Sequence, residues 1–196
     1  MNQFVLKYRL AAAAALVLGL AACGGNTTVS LGGTVNGLIT SGLVLANGGQ
    51  TVSIPANATS YVFPSEIDDA SSYAITVQTQ PPRLTCVVQS GSGVATGIKI
   101  NAANVFCQVN TYSVGGTVNG LKTSGLILSN GANTLAVNMP VAPATTTTFT
   151  MPFLVEDAAT YGIVVKTQPT GQICTVSNGT AIMGAANVTN VVVNCI

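Results

Sequence analysis

The sequence has 196 residues but no histidine and no tryptophan, and only 6% of its residues are charged. Without histidine, the Ser-His and Cys-His systems that activate a nucleophile are excluded. Zinc sites of the usual composition lose their nitrogen ligand. Six basic residues stand against five acidic ones, and two of the basic ones, Lys7 and Arg9, fall in the first ten residues. The other four, Arg83, Lys99, Lys122 and Lys166, are scattered. No basic cluster is left to displace counterions from phosphates, which excludes nucleic acid as a partner. Typical soluble domains carry about 25% charged residues, so the surface here must be built from Thr, Ser, Asn and Gly. Gly91-Ser92-Gly93-Val94-Ala95-Thr96-Gly97 has neither the spacing nor the strand-to-helix setting of a nucleotide-binding loop and reads as a β-turn. The residues imply no cofactor.

What is present occurs twice. Gly32-Gly33-Thr34-Val35-Asn36-Gly37-Leu38 returns 83 residues later as Gly115-Gly116-Thr117-Val118-Asn119-Gly120-Leu121. Val77-Gln78-Thr79-Gln80-Pro81 returns as Val165-Lys166-Thr167-Gln168-Pro169, now offset by 88. The five extra residues lie near Pro143–Thr148, in a Thr-rich run before Phe149, and an insertion confined to one connection marks a surface loop. A period near 80 is too long for a solenoid unit and suits a small β-sandwich domain.

Within each copy, short apolar stretches alternate with turn signals. Tyr73, Ile75 and Val77 alternate with Ala74, Thr76 and Gln78, the period of two that marks a half-buried strand. Asn47-Gly48-Gly49 and Asn130-Gly131 are hairpin signals. About seven strands per copy and no amphipathic helix predict an all-β chain of two tandem immunoglobulin-like antiparallel β-sandwich domains. The expected boundaries are 1–22 leader, 23–28 tether, 29–110 first repeat and 111–196 second repeat. Gln108–Tyr112 is the linker, short enough to make the pair a stiff rod. Tyr73 and Tyr161 resemble the corner tyrosines of Greek-key sandwiches, whose hydroxyl ties a loop to the sheet.

Four of the five cysteines follow the repeat. Cys86 and Cys107 recur at the 88-residue offset as Cys174 and Cys195, and each pair is 21 residues apart. That equal spacing predicts one disulfide inside each copy, Cys86–Cys107 and Cys174–Cys195, rather than four ligands gathered on one zinc across the copies. Closing a loop of this size contributes about 3 kcal/mol in the chain-entropy model.

The fifth cysteine, Cys23, has no counterpart. It follows a basic start, the apolar run Leu10–Leu20 and the small residues Ala21-Ala22. The run fits a signal-peptide h-region and is too short to cross a bilayer as a helix. Leu20-Ala21-Ala22-Cys23 resembles the lipobox of bacterial lipoproteins. That resemblance implies a leader cut before Cys23 and a lipid-modified thiol, a membrane partner through the anchor, and an outer-membrane location, since Gly24 follows Cys23 instead of an aspartate. An ordinary secretory signal with an incidental cysteine is the alternative. The whole pattern over 29–196 is similar to tandem modules of proteobacterial surface proteins and lipoproteins, a group mostly of uncharacterised function.

One polar feature is copied: Asp68-Asp69-Ala70 aligns with Glu156-Asp157-Ala158. Adjacent carboxylates four residues before a strand read first as a solvated turn. Asp68, Asp69, Glu156 and Asp157 are also the weak Ca²⁺ candidates, because hard cations take carboxylate oxygens. The expected function is therefore a non-enzymatic envelope lipoprotein, structural or adhesive, with an envelope protein, a glycan or a host surface as partner. A Ca²⁺-dependent carbohydrate-active or hydrolytic protein using the acidic pairs is the alternative.

Overall fold

A computed structural model describes residues 27–97 and 99–196. The leader 1–22, Cys23 and most of the tether lie outside them. The first repeat contains β1 (Thr28–Asn36), β2 (Leu43–Asn47), β3 (Gln50–Ile54), β4 (Ser60–Val62), β5 (Ile67–Asp68), β6 (Ser72–Thr79), β7 (Leu84–Gln89), β8 (Ser92–Val94), β9 (Lys99–Ile100) and β10 (Asn104–Val109). The second follows the same order with β11 (Thr111–Tyr112), β12 (Val114–Asn119), β13 (Ile127–Asn130), β14 (Asn133–Ala136), β15 (Thr146–Thr150), β16 (Val155–Glu156), β17 (Thr160–Thr167), β18 (Cys174–Ser177), β19 (Thr180–Ile182) and β20 (Val188–Cys195). No helix occurs among the described residues.

Each repeat is a sandwich. In the first, a sheet ordered β4-β1-β10-β7, with β5 and β9 also paired to β1, faces a sheet ordered β3-β2-β6-β8. The second repeats this as β15-β12-β20-β18 facing β14-β13-β17-β19, with β11 paired to β16. Alternation along the strands supplies the filling: in β6, Tyr73 and Ile75 are buried while Ser72, Ala74 and Thr76 are exposed. Leu31, Val35, Leu45, Ile75 and Val105 meet in one core. Val114, Val118, Leu128, Ile163 and Val193 meet in the other.

The all-β sandwich matches the sequence reading, and most ladders are antiparallel. The first and last long strands of each repeat are the exception. β1 runs parallel to β9 and then to β10, and β12 runs parallel to β20. Local periodicity reports which face a residue takes and carries no information about the direction of a partner 70 residues away.

The copied Gly-Gly is explained at this crossing. β1 passes from β9 to β10 on either side of Gly33, and in β12 the register shifts between Val114 and Gly116. A Cβ on Gly33 would sit 1.9 Å from the Ala103 carbonyl oxygen, and one on Gly116 would sit 1.8 Å from that of Val191. On the other side of the strand, a Cβ on Gly32 or on Gly115 would likewise sit 2.3 Å from a carbonyl oxygen. Main chain approaches from two sides, which only glycine tolerates in a strand interior.

Both disulfides form as expected, Cys86–Cys107 and Cys174–Cys195. Each joins residues directly opposite in neighbouring strands of one sheet, β7 with β10 and β18 with β20. The linker is shorter than the predicted 108–112. Gln108 and Val109 belong to β10, Thr111 and Tyr112 to β11, and Asn110 alone lies between strands. Thr28, assigned to the tether, opens β1 instead.

Candidate functional site

The copied polar motifs are engaged in holding backbone. The amide of Gln80 accepts from the Cys86 N–H at 2.7 Å and donates to the Cys86 carbonyl at 2.9 Å. Gln168 does the same to Cys174 at 2.7 and 3.1 Å. Each Gln thus stands in for a strand partner beside the disulfide. The hairpin asparagines act similarly: Asn47 Oδ1 accepts from Ala74 N–H and Asn130 Oδ1 from Gly162 N–H. The Thr-Gln-Pro recurrence was the available signal for these Gln latches, and period counting gave them no role.

The two acidic turns share one backbone design. Asp69 N–H donates to the Thr27 carbonyl and Asp157 N–H to the Asn110 carbonyl, both at 2.8 Å. Ala70 and Ala158 follow with φ of 60° and 63°. Their surroundings differ. Asp69 is exposed, whereas Asp157 is 8% exposed because the first repeat lies against it. Arg83 Nε stands 3.7 Å from Asp157 Oδ1, and its Nη2 donates to the Asp157 carbonyl at 2.9 Å. The four carboxylates predicted as Ca²⁺ candidates are not brought together. Asp68 pairs with Thr28 at the start of the first repeat, and Glu156 pairs with Thr111 at the start of the second. No group of three or more His, Cys, Asp or Glu residues that could hold a metal occurs among the described residues. Both turns hold backbone, and in the second repeat the acid is engaged by Arg83.

The tyrosine expectation needs correcting. Tyr73 and Tyr161 are buried, and Tyr73 packs against Gly93, its cross-strand partner in β8. The hydroxyl that ties backbone belongs to Tyr61, which donates to the Ala103 carbonyl at 2.8 Å. Ala103 is the residue whose carbonyl crowds Gly33, so Tyr61 braces the crossing in the first repeat. Phe149 takes its place in the second, and a local pattern cannot distinguish which of two nearby tyrosines reaches a distant carbonyl.

Burial, followed by repulsion from Tyr73, pushes the Tyr61 phenol from 10.0 up to about 12. The folded state therefore prefers the neutral phenol. Its contribution is complete below pH 10 and is lost as pH rises from 10 towards 12. A rise of that size in pKa corresponds to roughly 3 kcal/mol. Alkaline titration at constant temperature should melt the first repeat before the second, and Tyr61→Phe should remove the difference. Equal alkaline sensitivity of both repeats in the wild type would refute this assignment.

Two surfaces belong to one repeat only. The insertion in the second repeat forms one wall of an open groove of about 300 Å³, lined by Leu121, Lys122, Met139, Pro140, Ala142 and Ala144, with Val141 85% exposed. On the first repeat, Val87 and Phe106 are cross-strand partners and form an exposed apolar spot among Thr85, Gln89 and Gln108. The insertion was read as a surface loop, but the Val87–Phe106 spot was not singled out, because an exposed apolar residue in a strand looks like a core residue until the register is known.

No family model and no curated protein matches the chain. Among solved structures it is similar to the Bacillus anthracis TIE protein, with 13% identity and a TM-score of 0.48 over 87% of this chain. The chain spans 34% of that protein's length. It is also similar to the shaft pilin SpaA of Lactobacillus rhamnosus GG, with 11% identity and a TM-score of 0.28, covering 86% of this chain and 97% of the pilin chain.

Proposed function

We propose that this chain is a non-enzymatic cell-envelope module, anchored by lipid on Cys23, whose two sandwiches act as a spacer and binding scaffold. The observation that carries this reading is the use made of the copied residues. Gly33 and Gly116 admit a neighbouring main chain, Gln80 and Gln168 pair with it, and the four repeat cysteines cross-link it. The duplicated part of the sequence thus builds scaffold, and any partner is met by what is not duplicated: the insertion groove and the Phe106 face. The partner is an envelope protein, a glycan or a host surface, and the uncharged Thr, Gln and Asn surface suits a neutral one. The Ca²⁺-dependent alternative gains nothing from the structure, since its carboxylates lie in separate repeats and Asp157 is held by Arg83.

Membrane attachment is tested at the cysteine. Two or more acyl chains on one residue, at about 0.8 kcal/mol per buried methylene, hold a protein on a bilayer durably. Cys23→Ala should move the protein from the membrane pellet to the soluble fraction and abolish incorporation of labelled palmitate. If wild-type protein is soluble and carries no acyl mass, the anchor is wrong. The scaffold role is tested by photo-cross-linking from position 141 or 106 in cells. A recurrent partner from either position supports it, and substrate turnover by the purified chain would overturn it.

A further inference from the structure

One residue at the junction breaks the symmetry of the repeats at an energetic cost. Arg83 has φ of +67°, and its counterpart at the 88-residue offset is Gly171, with φ of +72°. The backbone makes the same left-handed turn in both copies. Glycine enters that region freely, whereas a residue with a Cβ is penalised there. A Cβ on Gly171 would meet nothing within 4 Å, so crowding does not dictate the choice at this turn. The first repeat accepts an unfavourable backbone conformation, and the side chain it gains points out of that repeat.

That side chain reaches the second repeat. Its guanidinium donates to the Asp157 carbonyl at 2.9 Å and lies 3.7 Å from the Asp157 carboxylate, the sole ion pair among the described residues. Arg83 also grips the linker from behind, because its carbonyl accepts the Asn110 N–H at 2.9 Å. Asn110 in turn passes its carbonyl to the Asp157 N–H at 2.8 Å, and its Oδ1 accepts from the Thr85 hydroxyl at 2.6 Å. Arg83, Asn110 and Asp157 therefore close a ring of contacts that includes the one residue between strands.

We propose that Arg83 is a clasp that fixes the orientation of the second repeat on the first, placed there at the expense of the first repeat's own stability. A clasp of this kind holds the insertion groove and the Phe106 face at a constant angle to each other. It would act in the same way whatever the anchor and whatever the partner.

The test uses residues 24–196, which include every contact described here, and compares the wild type with Arg83→Gly and Gly171→Arg. Residual dipolar couplings report whether the two repeats share one alignment, and calorimetry reports their melting. In the wild type one alignment tensor should fit both repeats. Arg83→Gly should need two tensors, while the first repeat melts at the same temperature or several degrees higher. Gly171→Arg should keep a shared tensor and lower the melting temperature of the second repeat. If Arg83→Gly retains one tensor, or if it lowers the stability of the first repeat, Arg83 serves its own turn and the clasp is refuted. A rise in melting temperature with Gly171→Arg would refute it equally, since arginine would then favour this turn by itself.

Discussion

Gly116→Ala should strongly destabilise the second repeat. The added Cβ would lie 1.8 Å from the Val191 carbonyl oxygen and 2.6 Å from its carbon. Both atoms are main chain in the parallel ladder of β12 and β20, so neither can swing aside as a side chain would. Relief requires the two strands to separate at the centre of the sheet, where Val114, Val118 and Val193 are buried. The expected loss is about 4 kcal/mol or more, among the largest for single substitutions, against a total stability of about 5–15 kcal/mol. In a repeat of this size that lowers Tm by at least roughly 15 °C. Gly131→Ala is the matched control. Its turn has φ of +57° and open space around the Cβ position, so it should cost only about 1 kcal/mol. Thermal scans of the two variants decide the matter, and a Gly116→Ala melting curve overlying the control would show that the close approach is not real.

Removing one disulfide should have the next largest effect. Cys174 and Cys195 close a loop with a separation of 21, for which the chain-entropy model gives about 3 kcal/mol. Both sulfurs lie in the core, with Cys174 3% and Cys195 7% exposed. The double substitution Cys174→Ala, Cys195→Ala avoids a lone buried thiol and should lower the denaturant midpoint of the second repeat while leaving the first unchanged. The same change at Cys86 and Cys107 should act only on the first repeat. Non-reducing peptide mapping gives an independent check, since a cross-repeat linkage would contradict the register in which Cys86 faces Cys107. Loss of both transitions on removing one bridge would mean that the two sandwiches melt as a single unit.

The elements that could be read from the sequence were those that residues declare locally. Tyr73, Ile75 and Val77 announce a half-buried strand by alternation, and β6 occupies that stretch. Asn47-Gly48 and Asn130-Gly131 announce hairpins, and β2 pairs with β3 and β13 with β14 around them. The bridges were legible because duplication placed each cysteine twice at one spacing. What stayed hidden depends on approach from afar. The parallel course of β1 and β10 joins segments some 70 residues apart, and no turn between them records its direction. Arg83 stood in the sequence only as a scattered basic residue, and its difference from Gly171 signifies something only after the left-handed turn and the Asp157 carbonyl are known. The acidic pairs were identified as the copied polar feature, but their different burial depends on the first repeat covering the second, a relation that aligning the copies cannot reveal.

The parallel first and last strands also determine how each sandwich would respond to being pulled. Because β12 and β20 run in the same direction, the chain enters a repeat at one end and leaves it at the other. Tension along the polypeptide drags these neighbours past each other, so the rungs between them share the load at once instead of opening one by one. Survival under such a load is a matter of unfolding rate rather than equilibrium stability. Should the rungs fail, the covalent bridge between positions 174 and 195 still withholds its enclosed 21-residue span, about 70 Å of contour length. A stretched repeat would then yield a shorter extension than its residue count implies, and a reductant would lengthen the step by that amount.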